Sequence, residues 1–165
     1  MMKKAACIGA MMTLMLVARA FAQEGGSEHQ VAFQRYDSYF EKNNSGLPGK
    51  TSFLVFTNQG RFDRIFHPAP VMGQNSFLPE NAFDTKVVIA TIVRGNFTRT
   101  YDLTKVTAKD GTLYVWYTFT DSEGGGARFN SPLILAVDRE NYSRIIFMEN
   151  GKRIRSIPAH ISRNK

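Results

Sequence analysis

The sequence predicts a mainly β, single-domain protein: an antiparallel β-sandwich of the Ig-like kind, with one short helix near residues 58–66. First, apolar runs that are β-branched or alternate with polar residues recur from Lys86 onward, as is typical of strands. Second, Asp110-Gly111 and Asn150-Gly151 stand between such runs, and both dipeptides favour tight hairpin turns. Third, 43% hydrophobic and 21% charged residues are typical of a globular domain. An open β-barrel is the alternative arrangement of the same strands.

The first 22 residues have the pattern of a Sec-type signal peptide. Lys3 and Lys4 precede an apolar stretch from Ala5 to Ala18, and Ala20-Phe21-Ala22 supplies the small residues of a cleavage site. The apolar stretch is shorter than the roughly 20 residues that span a bilayer, and no later window approaches that length. We therefore expect cleavage after Ala22, an exported protein that is periplasmic or secreted, and no integral membrane segment in the mature chain.

Removal of this segment also removes Cys7, the single cysteine. The mature chain, residues 23–165, would then have no cysteine, which excludes disulfides, thiol catalysis and cysteine metal sites. A chain of this size buries about two-thirds of its unfolded surface and therefore folds without covalent staples.

The formal charge of +7 comes from the two ends of the chain. Residues 23–149 have a net charge of −1 with mixed signs, which indicates a solvated surface and predicts no nucleic-acid partner. Residues 150–165 contain five basic and no acidic residues. Lys152, Arg153 and Arg155 are interpreted as solvated residues of a final edge strand. Contact with an acidic partner or with lipid is the alternative.

The N-terminal half contains fewer regular elements than the rest. After a polar leader, alternation beginning at Val31 predicts a strand that continues irregularly to Phe40. Residues 43–49 have the composition of a loop, and residues 52–56 that of a buried strand.

The predicted helix begins after Thr57 or Asn58, either of which is a suitable N-cap. Its apolar residues Phe62, Ile65 and Phe66 share one face. The helix ends at the His67-Pro68 step, because the residue before a proline avoids the helical region. Residues 71–84 show no period and are interpreted as a long connection.

The C-terminal half is β throughout. Residues 87–93 are continuously apolar, apart from one threonine, which predicts a central strand covered on both faces. Residues 98–107 and 112–121 are expected to form a hairpin. Further strands are expected near 133–137, near 145–148 and after the turn at Asn150-Gly151. The count is seven to nine strands and one helix.

The sequence offers few groups for catalysis. Its histidines are His29, His67 and His160, and none has a second histidine at metal-ligand spacing, so neither a metal nor a cofactor is predicted. Asp63 and His67 are four residues apart and would meet on one helical face, most simply as a surface or cap interaction. We therefore expect a protein that is not an enzyme, and a periplasmic enzyme that acts through Asp63 and His67 is the alternative.

Aromatic residues alternate along the second strand of the hairpin. Tyr114 and Trp116 alternate with Leu113, Val115 and further inward-type residues. Stacked aromatics on a sheet are one way of binding single strands of nucleic acid. Acidic residues near them argue against that function, and we interpret the rings as packed against the partner sheet or the short helix.

From about Phe53 onward the order of elements resembles the PrcB-like family of protease-complex subunits, whose β-sandwich is similar to that of chagasin-type protease inhibitors. The resemblance rests on residues 54–66, on the strand 87–95 that leads into Tyr101, and on Ser131-Pro132 before an apolar strand. The loop from Gly95 to Tyr101 keeps one glycine and the tyrosine of the family pattern.

The resemblance implies an exported protein-binding module, such as a protease-associated or protease-inhibitory subunit that binds a secreted or envelope protease through loops at one end of the sandwich. A β-barrel-like carrier of a small apolar ligand is the alternative. Phe97 and Phe129 either anchor a partner or fill the core under their own loops. The partner-binding residues so predicted are Arg94, Gly95, Asn96, Phe97, Gly124, Gly125, Gly126, Arg128 and Phe129.

Overall fold

A computed structural model describes residues 26–70 and 75–163. These residues are mainly β, with 60% of them in strands and 8% in helices, and the two larger sheets have five and four strands. A shared apolar core joins these two sheets, as in a β-sandwich. The predicted fold class is therefore confirmed. The predicted signal peptide, residues 1–22, lies outside the described residues and stays a prediction.

Eleven strands and two helices form within the described ranges. In chain order they are β1 (His29–Gln30), β2 (Phe33–Arg35), β3 (Tyr39–Glu41), β4 (Thr51–Phe56), α1 (Gln59–Ile65), β5 (Phe66–Pro68), α2 (Ala82–Thr85), β6 (Lys86–Gly95), β7 (Phe97–Lys109), β8 (Thr112–Glu123), β9 (Phe129–Asp138), β10 (Tyr142–Glu149) and β11 (Lys152–Ile161). The five-stranded sheet has the order β1-β7-β8-β10-β11, the four-stranded sheet β2-β9-β6-β4, and β3 pairs with β5.

The strand count exceeds the predicted seven to nine because β2 and β3 replace one predicted strand, and because β1 and β5 form where none was predicted. β1 pairs with β7, β2 with β9 and β3 with β5, so consecutive short pieces of this segment join three different sheets. The predicted single helix is likewise an undercount, since α2 forms one helical turn in a segment without apolar period. Such short elements depend on neighbours that are distant in sequence.

One strand pair departs from the predicted antiparallel arrangement. β8 and β10 are parallel, with Leu113 opposite Ile145 and Val115 opposite Phe147. Between them the chain crosses into the four-stranded sheet as β9, which runs antiparallel to β6. The chain then returns to the five-stranded sheet in the direction of β8. Among the described strands, the sandwich is antiparallel apart from this one pair.

The described residues form two apolar cores. The first lies between the two sheets and contains Val87 and Ile89 of β6 with Val115 and Tyr117 of β8. The second lies on the opposite face of the four-stranded sheet and contains Val88 of β6 with aromatic residues of β3, β4, α1, β5 and α2. Successive residues of β6 therefore point to different cores. This confirms the prediction of a central strand covered on both faces.

Helix α1 matches its predicted position. The Asn58 side chain accepts a hydrogen bond from the Arg61 amide at 2.9 Å, which caps the helix. Phe62 is fully buried in the second core, and Ile65 packs against it. The helix ends at Ile65, and Phe66 starts β5.

Both predicted hairpin turns have the backbone that their residues suggest. The φ angles are 48° and 68° at Asp110 and Gly111, and 50° and 76° at Asn150 and Gly151. Two successive residues with positive φ match a type I′ turn, which suits the twist of the flanking strands. The hairpins β7–β8 and β10–β11 are therefore specified locally.

The three buried tyrosines with the largest pKa shifts are expected to make the fold sensitive to alkali. Burial raises the pKa of Tyr101, of Tyr117 and of Tyr142, the last to about 12. The unfolded state releases these protons from about pH 10, whereas the folded state retains them. The free energy of unfolding should therefore fall above pH 10, by up to about 1.4 kcal/mol per pH unit for each tyrosine.

Denaturant unfolding at a series of alkaline pH values measures this effect. Tyr142→Phe removes one of the three groups and should make the decline with pH shallower. Tyrosinate absorbance that develops fully near pH 10, in a chain that remains folded, would contradict the expectation.

Candidate functional site

The two predicted loops lie side by side at one end of the sandwich. The corner at Asn96 connects β6 of one sheet to β7 of the other, and residues 124–128 make the return crossing from β8 to β9. Pairing of the strands places Gly95 opposite Phe129 and Phe97 opposite Glu123. The backbone amide of Gly124 donates a hydrogen bond to the carbonyl oxygen of Asn96 at 3.1 Å.

The close approach of the loops requires a glycine at position 124. A Cβ atom there would lie 2.8 Å from the Asn96 carbonyl oxygen and 2.6 Å from the ring of Phe129. These distances are well below van der Waals contact, and one of the atoms belongs to the backbone. The two loops therefore pack together only because Gly124 has no side chain.

The two predicted aromatic anchors are half-buried and not exposed loop residues. Phe97 is the first residue of β7 and packs against the first core, with the Arg99 guanidinium 5.6 Å from its ring centroid. Phe129 is the first residue of β9. For Phe97 the structure agrees with the core-filling alternative. The exposed residues of the predicted set are Asn96, Gly125, Gly126 and Arg128.

Arg94 is buried in an ion pair and presents no charge to a partner. Its Nε donates to one carboxylate oxygen of Glu41 at 2.8 Å, and its Nη2 donates to the other oxygen. The exposed fractions of the two side chains are 6% and 2%. The prediction that Arg94 contacts a partner is therefore corrected to an internal role, because its guanidinium group is paired with the Glu41 carboxylate.

The same ion pair attaches a third loop to this end of the sandwich. Arg94 Nη1 donates to the Ser52 hydroxyl at 3.0 Å and to the Gly49 carbonyl at 3.3 Å. The Ser45 hydroxyl donates to Glu41 at 2.6 Å. Residues 42–50 are thus held beside the two predicted loops. The sequence contained one signal for this contact, a charged residue at the end of an otherwise apolar strand.

A surface cleft of about 730 Å³ lies between the third loop and β9. Phe40, Lys42 and His67 line one side, and Arg128 and Phe129 line the other. The Phe40 side chain is 50% exposed, and its ring centroid lies 6.3 Å from that of His67. The cleft therefore combines an exposed aromatic ring with basic side chains. No motif marks Phe40 as a binding residue, although its place between buried Tyr39 and buried Glu41 gives it an outward position.

The residues considered for catalysis do not converge. Asp63 lies on α1 and accepts a hydrogen bond from the Gln59 side chain at 2.7 Å, whereas His67 lies beyond the helix in β5. The expectation that both share a helical face is wrong, because the helix ends at Ile65. Among the described residues no group of three or more His, Cys, Asp or Glu residues is arranged to hold a metal ion.

Tyr114 and Trp116 lie on the outer face of the five-stranded sheet. Their ring centroids are 6.4 Å apart, Lys105 Nζ lies 4.9 Å from the Trp116 ring, and the Trp116 Nε1 donates to the Thr107 hydroxyl at 3.2 Å. The expectation that they pack on the partner sheet or on α1 is wrong. The inward positions of β8 are taken by Leu113, Val115 and Tyr117.

The basic residues of β11 are exposed, as expected of an edge strand. No helix in residues 26–70 and 75–163 has the length and apolar character needed to cross a membrane. The chain matches no protein-family model, and no curated protein or solved structure is significantly similar to it. The PrcB-like resemblance therefore stays a prediction.

Proposed function

We propose that this protein is an exported, non-enzymatic protein-binding module that contacts its partner with the loop-bearing end of the sandwich. A protease-associated or protease-inhibitory subunit is the class that the PrcB-like resemblance suggests. The main support is the convergence of three loops, residues 42–50, 94–97 and 124–129, around one cleft. Loops presented by a rigid scaffold are the usual location of binding residues.

Contacts within the chain connect the loops of this end to the sandwich and to each other. The buried Arg94–Glu41 pair holds one loop, and the contact between Gly124 and Asn96 holds the other two. A preorganised surface loses less conformational entropy on association. Phe40 supplies an exposed aromatic anchor, and Arg128 makes no ion pair with any described residue. The partner surface should therefore offer an apolar pocket beside acidic groups.

Phe40→Ser is expected to weaken partner binding about tenfold or more, since exposed aromatic anchors dominate interface energies. The control is Phe33→Ser on β2, which changes another exposed phenylalanine, 39% exposed against 50% for Phe40, at the opposite end of β9. A photoreactive residue placed at position 40, and separately at position 33, is used to crosslink the mature protein to the envelope fraction of its host. The partner is identified by mass spectrometry, and its affinity is then measured for both variants.

Partner crosslinking from position 40 alone, together with weaker binding of Phe40→Ser, would support the proposal. Equal binding by Phe40→Ser and the parent protein would count against this end of the molecule as the binding surface.

The alternative, a carrier of a small apolar ligand, has less structural support. The space between the sheets is filled by buried side chains such as Leu113, Leu135 and Phe147. A carrier would consequently have to use a surface cleft. An apolar ligand that co-purifies with the protein and is detected by native mass spectrometry would favour the carrier over the binding module.

A further inference from the structure

Strand β4 is the outer strand of the four-stranded sheet and has one free edge. The Arg94 amide donates to the Lys50 carbonyl at 2.8 Å, and the register from Thr51↔Val93 to Phe56↔Val88 continues from this pair. Hydrogen-bonded and non-hydrogen-bonded pairs alternate in an antiparallel ladder. The backbone groups of Ser52, Leu54 and Phe56 therefore point to β6, and those of Thr51, Phe53 and Val55 point away from it.

The free edge of β4 lies along a trench of about 690 Å³ on the protein surface. Helix α1 forms one wall with Arg61, Arg64 and Ile65, and β11 forms the other with Ile157 and Ile161. The lining contains no Asp or Glu residue within the described part of the chain. Arg61 and Arg64 are exposed and make no ion pair with the residues described.

The two open edges beside this trench differ in how they are protected. β11 contains Pro158 and the charges Lys152, Arg153 and Arg155, which discourage pairing with another strand. β4 has the sequence Thr-Ser-Phe-Leu-Val-Phe, with neither a charge nor a proline. β4 is therefore the edge that is able to accept a new strand, and the walls of the trench restrict access to it.

We propose that β4 accepts an extended segment of a partner protein as an additional strand, in which acidic residues alternate with apolar residues. In a strand, successive side chains point to opposite faces. Those of the added strand on the Leu54 side lie beside α1, where Arg61 and Arg64 attract carboxylates. Those on the Phe53 side lie toward Ile157 of β11. At about 3.3 Å per residue, the six residues of β4 match a segment of five or six residues.

This surface shares Ser45 and Leu47 of the third loop with the cleft of the loop-bearing end, but the edge of β4 and the α1 wall do not line that cleft. It is tested separately, with a synthetic six-residue peptide of alternating valine and glutamate. Binding to the mature protein is measured by fluorescence anisotropy at low salt. Two control peptides differ in one property each. In one of them every glutamate is replaced by lysine, and in the other the backbone is N-methylated at alternate residues. We expect binding of the first peptide and a loss of at least about tenfold with either control.

Matched protein variants separate the backbone from the side chains. Thr51→Pro removes one outward-facing amide while the ladder to β6 remains complete, and Thr51→Val keeps that amide. We expect about fivefold weaker binding for Thr51→Pro and unchanged binding for Thr51→Val. The double variant Arg61→Gln, Arg64→Gln should bind about fivefold more weakly at low salt and show a smaller salt dependence.

Amide proton exchange provides a readout that does not depend on affinity. In the free protein the amides of Thr51, Phe53 and Val55 should exchange rapidly and those of Ser52 and Leu54 slowly. Saturation with the valine–glutamate peptide should protect the first three amides. Equal binding of the N-methylated peptide, or unchanged exchange at these amides, would overturn the proposal. Dimerisation that Thr51→Pro abolishes would overturn it in favour of a second copy of this chain.

Discussion

Replacement of Arg94 by alanine is expected to lower the free energy of unfolding by about 3–5 kcal/mol. The substitution leaves the Glu41 carboxylate in a site where its side chain is 2% exposed, without its bidentate partner. Removing one member of a buried ion pair costs much more than the pair itself contributes, because the remaining charge stays desolvated. Denaturant unfolding with a two-state fit measures the loss.

Lys86→Ala provides the control for this prediction. Lys86 and Asp138 form an ion pair of similar length, but their side chains are 37% and 62% exposed. Exposed pairs contribute about 0–1 kcal/mol, so this variant should remain near the parent in stability. If Arg94→Ala lowered the free energy of unfolding as little as Lys86→Ala, our conclusion that Arg94 holds the loop-bearing end together would be wrong.

Phe62→Ala is the second substitution for which we expect a large effect, again about 3–5 kcal/mol. The Phe62 side chain is fully buried, and its ring lies 5.0 Å from those of Tyr39 and Phe66 and 5.4 Å from that of Phe56, centroid to centroid. Truncation removes buried apolar area and leaves a cavity that the surrounding rings do not fill completely. The loss is measured by the same unfolding experiment.

Phe33→Ala is the matched control, since Phe33 is 39% exposed on β2. It should cost much less than Phe62→Ala, because only part of its ring is removed from water. If Phe62→Ala lowered the free energy of unfolding as little as Phe33→Ala, the packing of α1 in the second core would contribute little to stability. That result would also weaken the proposal for β4, because α1 forms one wall of the trench beside this strand.

Many elements were predictable because their signals are local. The type I′ turns at Asp110-Gly111 and Asn150-Gly151 depend on residues that tolerate positive φ, and both hairpins formed as predicted. Helix α1 followed from a capping residue and three apolar residues on one face. By contrast, the segment from 31 to 40 was predicted as one strand, and its division into β2 and β3, which join two different sheets, depends on partners far along the chain.

The candidate site was predictable only in part. The loops at 94–97 and 124–129 were identified, and the structure brings them together. The roles of individual residues were not predictable. Arg94, for example, forms a buried ion pair with Glu41, which lies 53 positions earlier in the chain. Phe97 is half-buried against the first core, whereas the unselected Phe40 is exposed. Burial is a property of the assembled sheets, and a residue's own neighbours in sequence do not determine it.

By itself the sequence determined the fold class, the tight turns, the covered central strand β6 and the position of α1. Each of these depends on side-chain periodicity or on backbone preference within a few residues. The tertiary structure alone decided the parallel pairing of β8 with β10, the second core and the buried ion pair at the loop-bearing end. It also decided that the edge of β4 is left open. These features are contacts between distant segments, and only the folded chain brings their partners within bonding distance.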